Sequence, residues 1–283
     1  MTKLSPYAVT GIIAAQELYE LLNNEHKDIK ILDASFAMPA SGINCSKRFK
    51  ESHIPNAQFF DIDVIADQST DLPHMLPPAA QFEKAMRDMN IGNTDLVIIY
   101  GQDGLIMGPA RAWWMFRYFG HENVCVLDGG LPEWKKYDYP LTNENSKSRD
   151  PDRPFTAKIN SDLLIDMQGI NGKLEDKDYL ILDARPPARF NGEEEEPRPN
   201  LKKGHIPGSL NLPAGSLVKQ ETGCLKTKDE LLDLLQKSRA LEKKSIIATC
   251  GSGVTACVIA LAIYNTAGTA IKVYDGSWSE YGK

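Results

Sequence analysis

Short apolar runs alternate along this chain with stretches in which apolar positions recur at helical spacing. Tyr179 to Leu182 and Ile246 to Thr249 are compact runs rich in branched residues, the pattern of strands buried on both faces. Lys228 to Lys237 sets leucines against charged residues at helical spacing and predicts an amphipathic helix. Ala256 to Tyr264 is apolar all round and predicts a largely buried helix, and Ile271 to Tyr274 predicts a further strand. Strand and helix in strict alternation predict an α/β fold, a mainly parallel sheet with helices on both faces.

The pattern occurs twice. Ile31-Leu32-Asp33-Ala34 returns as Ile181-Leu182-Asp183-Ala184, and His53-Ile54-Pro55 returns as His205-Ile206-Pro207. Val97 to Tyr100 corresponds to Ile246 to Thr249, and Asp128-Gly129 with Glu133 corresponds to Asp275-Gly276 with Glu280. Landmarks in one order at a slowly drifting offset imply a duplicated domain. Leu141 to Pro154, rich in Asn, Ser, Lys, Asp and Pro, reads as a solvated connection. The expected organisation is residues 1–140, a linker at 141–157, and residues 158–283.

A length of 283 residues suits two domains, and 42% hydrophobic with 25% charged residues excludes disordered and collagenous classes. The longest strictly apolar run, Ala256 to Ile263, is far short of the roughly 18 residues of a membrane span, and no basic-then-apolar leader opens the chain. A net charge of −6 argues against nucleic acid as the main partner, so any anion site must be local. Five cysteines, none in a C-x-x-C pair, suit a reducing compartment. The expectation is a cytoplasmic monomer with no membrane partner. No ligand cluster or nucleotide motif suggests a metal or organic cofactor.

The sharpest local signal is Thr249-Cys250-Gly251-Ser252-Gly253-Val254-Thr255, a Gly-rich turn between a buried strand and a buried helix. Such a turn can aim backbone N–H groups and a helix N-terminus at an anion on Cys250. From the loop alone, Cys250 is equally a buried structural cysteine. Its place at the C-terminal edge of a parallel sheet, where open α/β folds bind ligands, favours chemistry. Gly101-Gln102-Asp103-Gly104 fills the matching turn of the first copy without a thiol, so one copy carries a nucleophile and the other does not. Cys257, inside the apolar helix, reads as packing.

The duplication, the Asp183-Ala184-Arg185 and Gly204-His205-Ile206-Pro207-Gly208 patterns, the cysteine loop and the closing Asp275-Gly276-Ser277-Trp278 resemble the tandem rhodanese-domain sulfurtransferases. Phe59 to Asp63, His74 to Pro77 and Trp113 to Arg117 extend the resemblance through the first half. It implies two tandem rhodanese-like domains and a reaction in which Cys250 takes sulfur from a donor and holds it as a persulfide. The sulfur then passes to an acceptor thiol, such as thioredoxin or a small thiol, or to cyanide. Within the family the chain is most similar to members that use 3-mercaptopyruvate, which leaves as pyruvate. Lowering the pKa of a thiol raises its ionised fraction but lowers its intrinsic nucleophilicity, so most of the rate must come from positioning and from stabilising charge on the leaving group.

The same resemblance assigns Cys250, Ser252, His74 and Asp63 as catalytic, with Ser252, His74 and Asp63 as a proton relay. It assigns Arg189 and Arg198 to the substrate carboxylate and ketone, with the loop positions Gly251, Gly253, Val254 and Thr255 also binding substrate. Without the family, His74 between Pro73 and Met75 reads as a packed loop histidine, and Arg198 as a surface ion pair with Glu193 to Glu196. Arg185 beside Asp183 reads as a structural ion pair. His53 and His205, present in both copies, read as structural.

Three rivals follow. A phosphatase of the Cys-x5-Arg type would need arginine where Ala256 stands. Thiosulfate as donor would favour basic residues after the cysteine, where Gly251 and Ser252 stand. A sulfur-carrier module would load Cys250 without turning over small donors.

Overall fold

The computed structural model describes residues 4–24, 28–38, 41–146 and 154–283. Part of the expected linker, residues 147–153, lies outside the described residues. The chain divides into two compact units. The first comprises Met1–Ile65, Pro77–Ile159 and Gln220–Cys224, and the second comprises Ala66–Leu76, Asn160–Lys219 and Leu225–Lys283.

The first unit holds a five-stranded sheet of β1 (Ile12–Ile13), β2 (Ile29–Asp33), β3 (Ala57–Phe59), β4 (Leu96–Tyr100) and β5 (Val124–Leu127) in the order β1-β5-β4-β2-β3. The second repeats it with β6 (Leu164–Ile165), β7 (Tyr179–Asp183), β8 (Leu210–Asn211), β9 (Ser245–Thr249) and β10 (Lys272–Tyr274) in the order β6-β10-β9-β7-β8. Every pairing between these strands is parallel. The register also repeats: Asp33 stands opposite Tyr100 as Asp183 stands opposite Thr249.

Burial explains why the central strands show no polar alternation. All of β4 is buried, as are Ile246 to Thr249 of β9, because helices cover both faces of such a sheet. In the second unit Ile181 and Ile247 face a core with Ile170, Ile206, Tyr274 and Trp278. Their neighbours Leu182 and Ala248, also fully buried, face the opposite side, as the two-residue period of a strand requires. The helix Lys228–Lys237 forms as its spacing predicts and opens on a capping box, in which Thr227 N–H donates to Glu230 Oε2 at 2.8 Å. The apolar run from Ala256 becomes the buried helix Ala256–Ala267, ended by Gly268 in the left-handed conformation.

Candidate active site

Cys250 follows directly on β9 and is 1% exposed, at the C-terminal edge of the second sheet. The turn from Cys250 to Thr255 leads into the twelve-residue helix Ala256–Ala267. The C-terminal segment clasps this turn. Cys250 N–H and Gly253 N–H both donate to Ser277 Oγ, at 3.1 and 3.2 Å, while the Ser277 hydroxyl donates to Tyr274 O at 2.7 Å. Trp278 N–H donates to Cys250 O at 2.9 Å, and Ser279 binds Gly251 O through both its N–H and its hydroxyl. From within the helix Cys257 Sγ donates to Gly253 O at 3.2 Å, a packing and bracing role.

With the Gly253 amide engaged by Ser277, four others remain. Among the described residues the backbone N–H groups of Gly251, Ser252, Val254 and Thr255 donate to no acceptor. Successive unpaired amides at a helix entrance form a site for negative charge. The Ser252 hydroxyl, in a residue 8% exposed, likewise has no hydrogen-bond partner among the described residues.

Arg189 sits on the short helix Pro187–Phe190 beyond β7, and its Nη2 lies 3.0 Å from where a Cβ on Gly251 would stand. Its Nε and Nη2 donate to Glu196, leaving Nη1 without a partner among the described residues. Glu196 is shared with Arg185 at 2.7 Å, and Arg185 also pairs with Asp183 at 2.7 Å. The Arg185 side chain is 1% exposed, lies over the Trp278 ring and donates to Gly204 O, so it is a structural ion pair as its position beside Asp183 suggested. Two carboxylates thus balance two arginines, and Arg189 retains its whole Nη1 group for a further anion.

His74 lies in the first half of the chain but packs in the second unit. Its loop is pinned by Leu76 N–H donating to Asp275 Oδ2 at 2.7 Å, two residues before the clasp begins at Ser277. Arg198 Nη2 donates to His74 Nε2 at 3.1 Å. The Glu193 to Glu196 stretch that offered Arg198 ion pairs is used otherwise at two positions: Glu196 holds Arg185 and Arg189, and Glu195 binds Lys203. Asp63 belongs to the first unit, exposed in the first turn of the helix Ile62–Ile65. It lines a cavity of about 250 Å³ with Ser35, Cys45 and Asp61. His53 and His205 are structural in both units: each binds a carbonyl through Nδ1 and stacks on a phenylalanine, Phe49 and Phe190.

Ser277 and Ser279 were not among the expected site residues. The recurrence of Asp128-Gly129 as Asp275-Gly276 and the closing Asp275-Gly276-Ser277-Trp278 motif pointed to their segment without assigning either serine a role.

A model of the rhodanese-like domain matches residues 14–137 and 167–283. The chain belongs to the rhodanese family. Across 281 residues it is 37% identical to human 3-mercaptopyruvate sulfurtransferase, covering 98% of this chain and 93% of the relative. The Escherichia coli K12 3-mercaptopyruvate sulfurtransferase is 40% identical over 276 residues, 97% of this chain and 96% of the relative. The crystal structure of Escherichia coli SseA, described as showing the rhodanese fold and catalytic mechanism of 3-mercaptopyruvate sulfotransferases, superposes with a TM-score of 0.83 at 38% identity. That match covers 95% of this chain and 99% of the other. Both rhodanese domains here carry the parallel five-stranded sheet, and only the second places a cysteine at the strand end.

Proposed function

We propose that this protein is a sulfurtransferase that moves sulfur from 3-mercaptopyruvate through a Cys250 persulfide to an acceptor thiol or cyanide. One observation carries the reading: a buried cysteine at a parallel strand end, in a turn with four unpaired amides and an arginine with free donors beside it. The names of relatives matched over nearly the full chain support the choice of donor.

In the proposed cycle the Cys250 thiolate attacks the donor sulfur. The carbon–sulfur bond breaks, its electron pair passes to the pyruvate enolate, and the proton of the donor thiol ends on that carbon to give pyruvate. Cys250 is left as a persulfide, whose anion the amides of Gly251, Ser252, Val254 and Thr255 hold. An acceptor thiolate or cyanide then takes the outer sulfur and restores Cys250. Arg189 and Arg198 bind the donor carboxylate and ketone, each charge-assisted contact worth about 1.5–3 kcal/mol. Family resemblance supports Ser252, His74 and Asp63 as the relay for the migrating proton. Thiosulfate is a second donor in this reading, disfavoured by the uncharged Gly251-Ser252 pair.

Intact mass after exposure to 3-mercaptopyruvate tests the proposal. The expected result is a gain of one sulfur, about 32 Da, reversed by a thiol, with pyruvate released on every turnover. A loaded chain that releases no further pyruvate when acceptor is supplied would be a carrier module.

A further inference from the structure

The two domains differ at one position that the cysteine loop depends on. In the first, Leu131 N–H donates to Gly101 O at 2.9 Å; in the second, Trp278 N–H donates to Cys250 O at the same distance. The residue before each donor adopts a left-handed backbone, φ 60 at Gly130 and φ 48 at Ser277. Glycine takes that conformation freely, whereas a residue with a Cβ is strained in it. At Gly130 a Cβ would also run into Gly101 O at 2.3 Å. The nucleophile-bearing domain therefore holds serine where its sister holds the residue that the turn itself favours. Strain of this kind persists where the surrounding structure over-determines it, and it gathers at functional sites.

The hydroxyl accounts for what the strain achieves. Ser277 is fully buried, its proton goes to Tyr274 O, and its oxygen is thereby turned toward the amides of Cys250 and Gly253. Those two amides, on either side of Gly251 and Ser252, are tied to one atom, so the intervening backbone is held as a loop. The amides that remain unpaired are those not bound to Ser277.

We propose that Ser277 is a positioning residue for sulfur transfer: its hydroxyl holds the Cys250 loop in the geometry that leaves the remaining amides free for the anionic sulfur. The proposal rests on Cys250 being the sulfur acceptor. Ser277 touches no reacting atom; it acts through the backbone of the loop.

The test uses the full chain with Ser277→Gly and Ser277→Ala. Ser277→Gly reproduces the residue of the first domain and relieves the strain, so its thermal midpoint stays at or above that of the wild type. Both variants are expected to lower kcat with 3-mercaptopyruvate by about 10- to 100-fold, as misplacing a reacting group does, with KM within about threefold because the arginines are untouched. Alkylation of Cys250 by iodoacetamide, followed by peptide mapping, is expected to slow by about tenfold, while the half-buried Cys45 and Cys224 in the same samples keep their rates. A folded Ser277→Gly chain with wild-type kcat and wild-type alkylation at Cys250 overturns the proposal. Cys250→Ser, exposed to 3-mercaptopyruvate alongside, keeps the two ideas apart: a sulfur gain in that variant removes Cys250 from the reaction, whatever the Ser277 variants do.

Discussion

Arg189 Nη2 stands 3.0 Å from the point at which a side chain on Gly251 would begin. The residue after Cys250 is therefore packed against the guanidinium proposed to hold the donor. Gly251→Ala should displace Arg189 and lower kcat/KM for 3-mercaptopyruvate by about tenfold, read in steady-state kinetics with the fold checked by circular dichroism. Added charge at 251 meets the same obstacle, so Gly251→Arg should impair both donors instead of switching the enzyme to thiosulfate.

Arg189→Ala and Arg198→Ala should each cost about 10- to 100-fold in kcat/KM for 3-mercaptopyruvate, the equivalent of 1.5–3 kcal/mol. KM should rise in both, and kcat should also fall with Arg189→Ala if its guanidinium polarises the ketone as charge develops. Unchanged constants in both variants, together with a wild type that prefers thiosulfate, would replace the donor assignment.

Arg185→Ala should behave differently because it strands Asp183, whose side chain is 1% exposed, and leaves the 2% exposed Glu196 to Arg189 alone. Removing one partner of a buried ion network costs about 3–5 kcal/mol, so urea unfolding should show a large loss of stability. An Arg185→Ala chain with wild-type stability and a selective defect toward one donor would make Arg185 a ligand.

Cys250→Ser should abolish turnover of every donor, since a hydroxyl forms no persulfide. Cys257→Ser should keep activity within about twofold, because serine can make the same donation to Gly253 O. The reverse pattern in a pyruvate-release assay would move the nucleophile to Cys257.

His121, 2% exposed, has its imidazole pushed down to about 4 by burial. A base with a lowered pKa in the folded state binds fewer protons there than when unfolded, so stability is complete above about pH 6.5 and falls as pH drops toward 4. The loss amounts to about 3 kcal/mol from this group. Urea titrations from pH 7 to pH 4 should show it, and His121→Phe, which suits the ring contacts with Phe116 and Phe155, should flatten that part of the curve.

The local rules were sufficient for the sheet and for the place of Cys250 at its edge. The compact runs Tyr179 to Leu182 and Ile246 to Thr249 belong in a parallel sheet covered on both faces, and the strand, glycine turn and helix around Cys250 place a thiol at that sheet's edge, because strand period and turn chemistry act over a few residues. The internal repeat identified the copy whose matching turn, Gly101 to Gly104, has no cysteine, again from neighbours in the chain. What lay beyond this was contact between residues far apart in sequence. Glu196 could belong to Arg198 or to Arg189 by proximity alone, and folding gave it to Arg185 and Arg189. His74 sits 124 positions from Arg198 and still shares its hydrogen bond. Ser277 is 27 positions from Cys250, and a serine in a strained turn shows nothing of its partners until the sheet brings β10 beside β9. Hydrogen-bond partners between loops depend on how strands pair, and no periodicity along the chain encodes that pairing residue by residue.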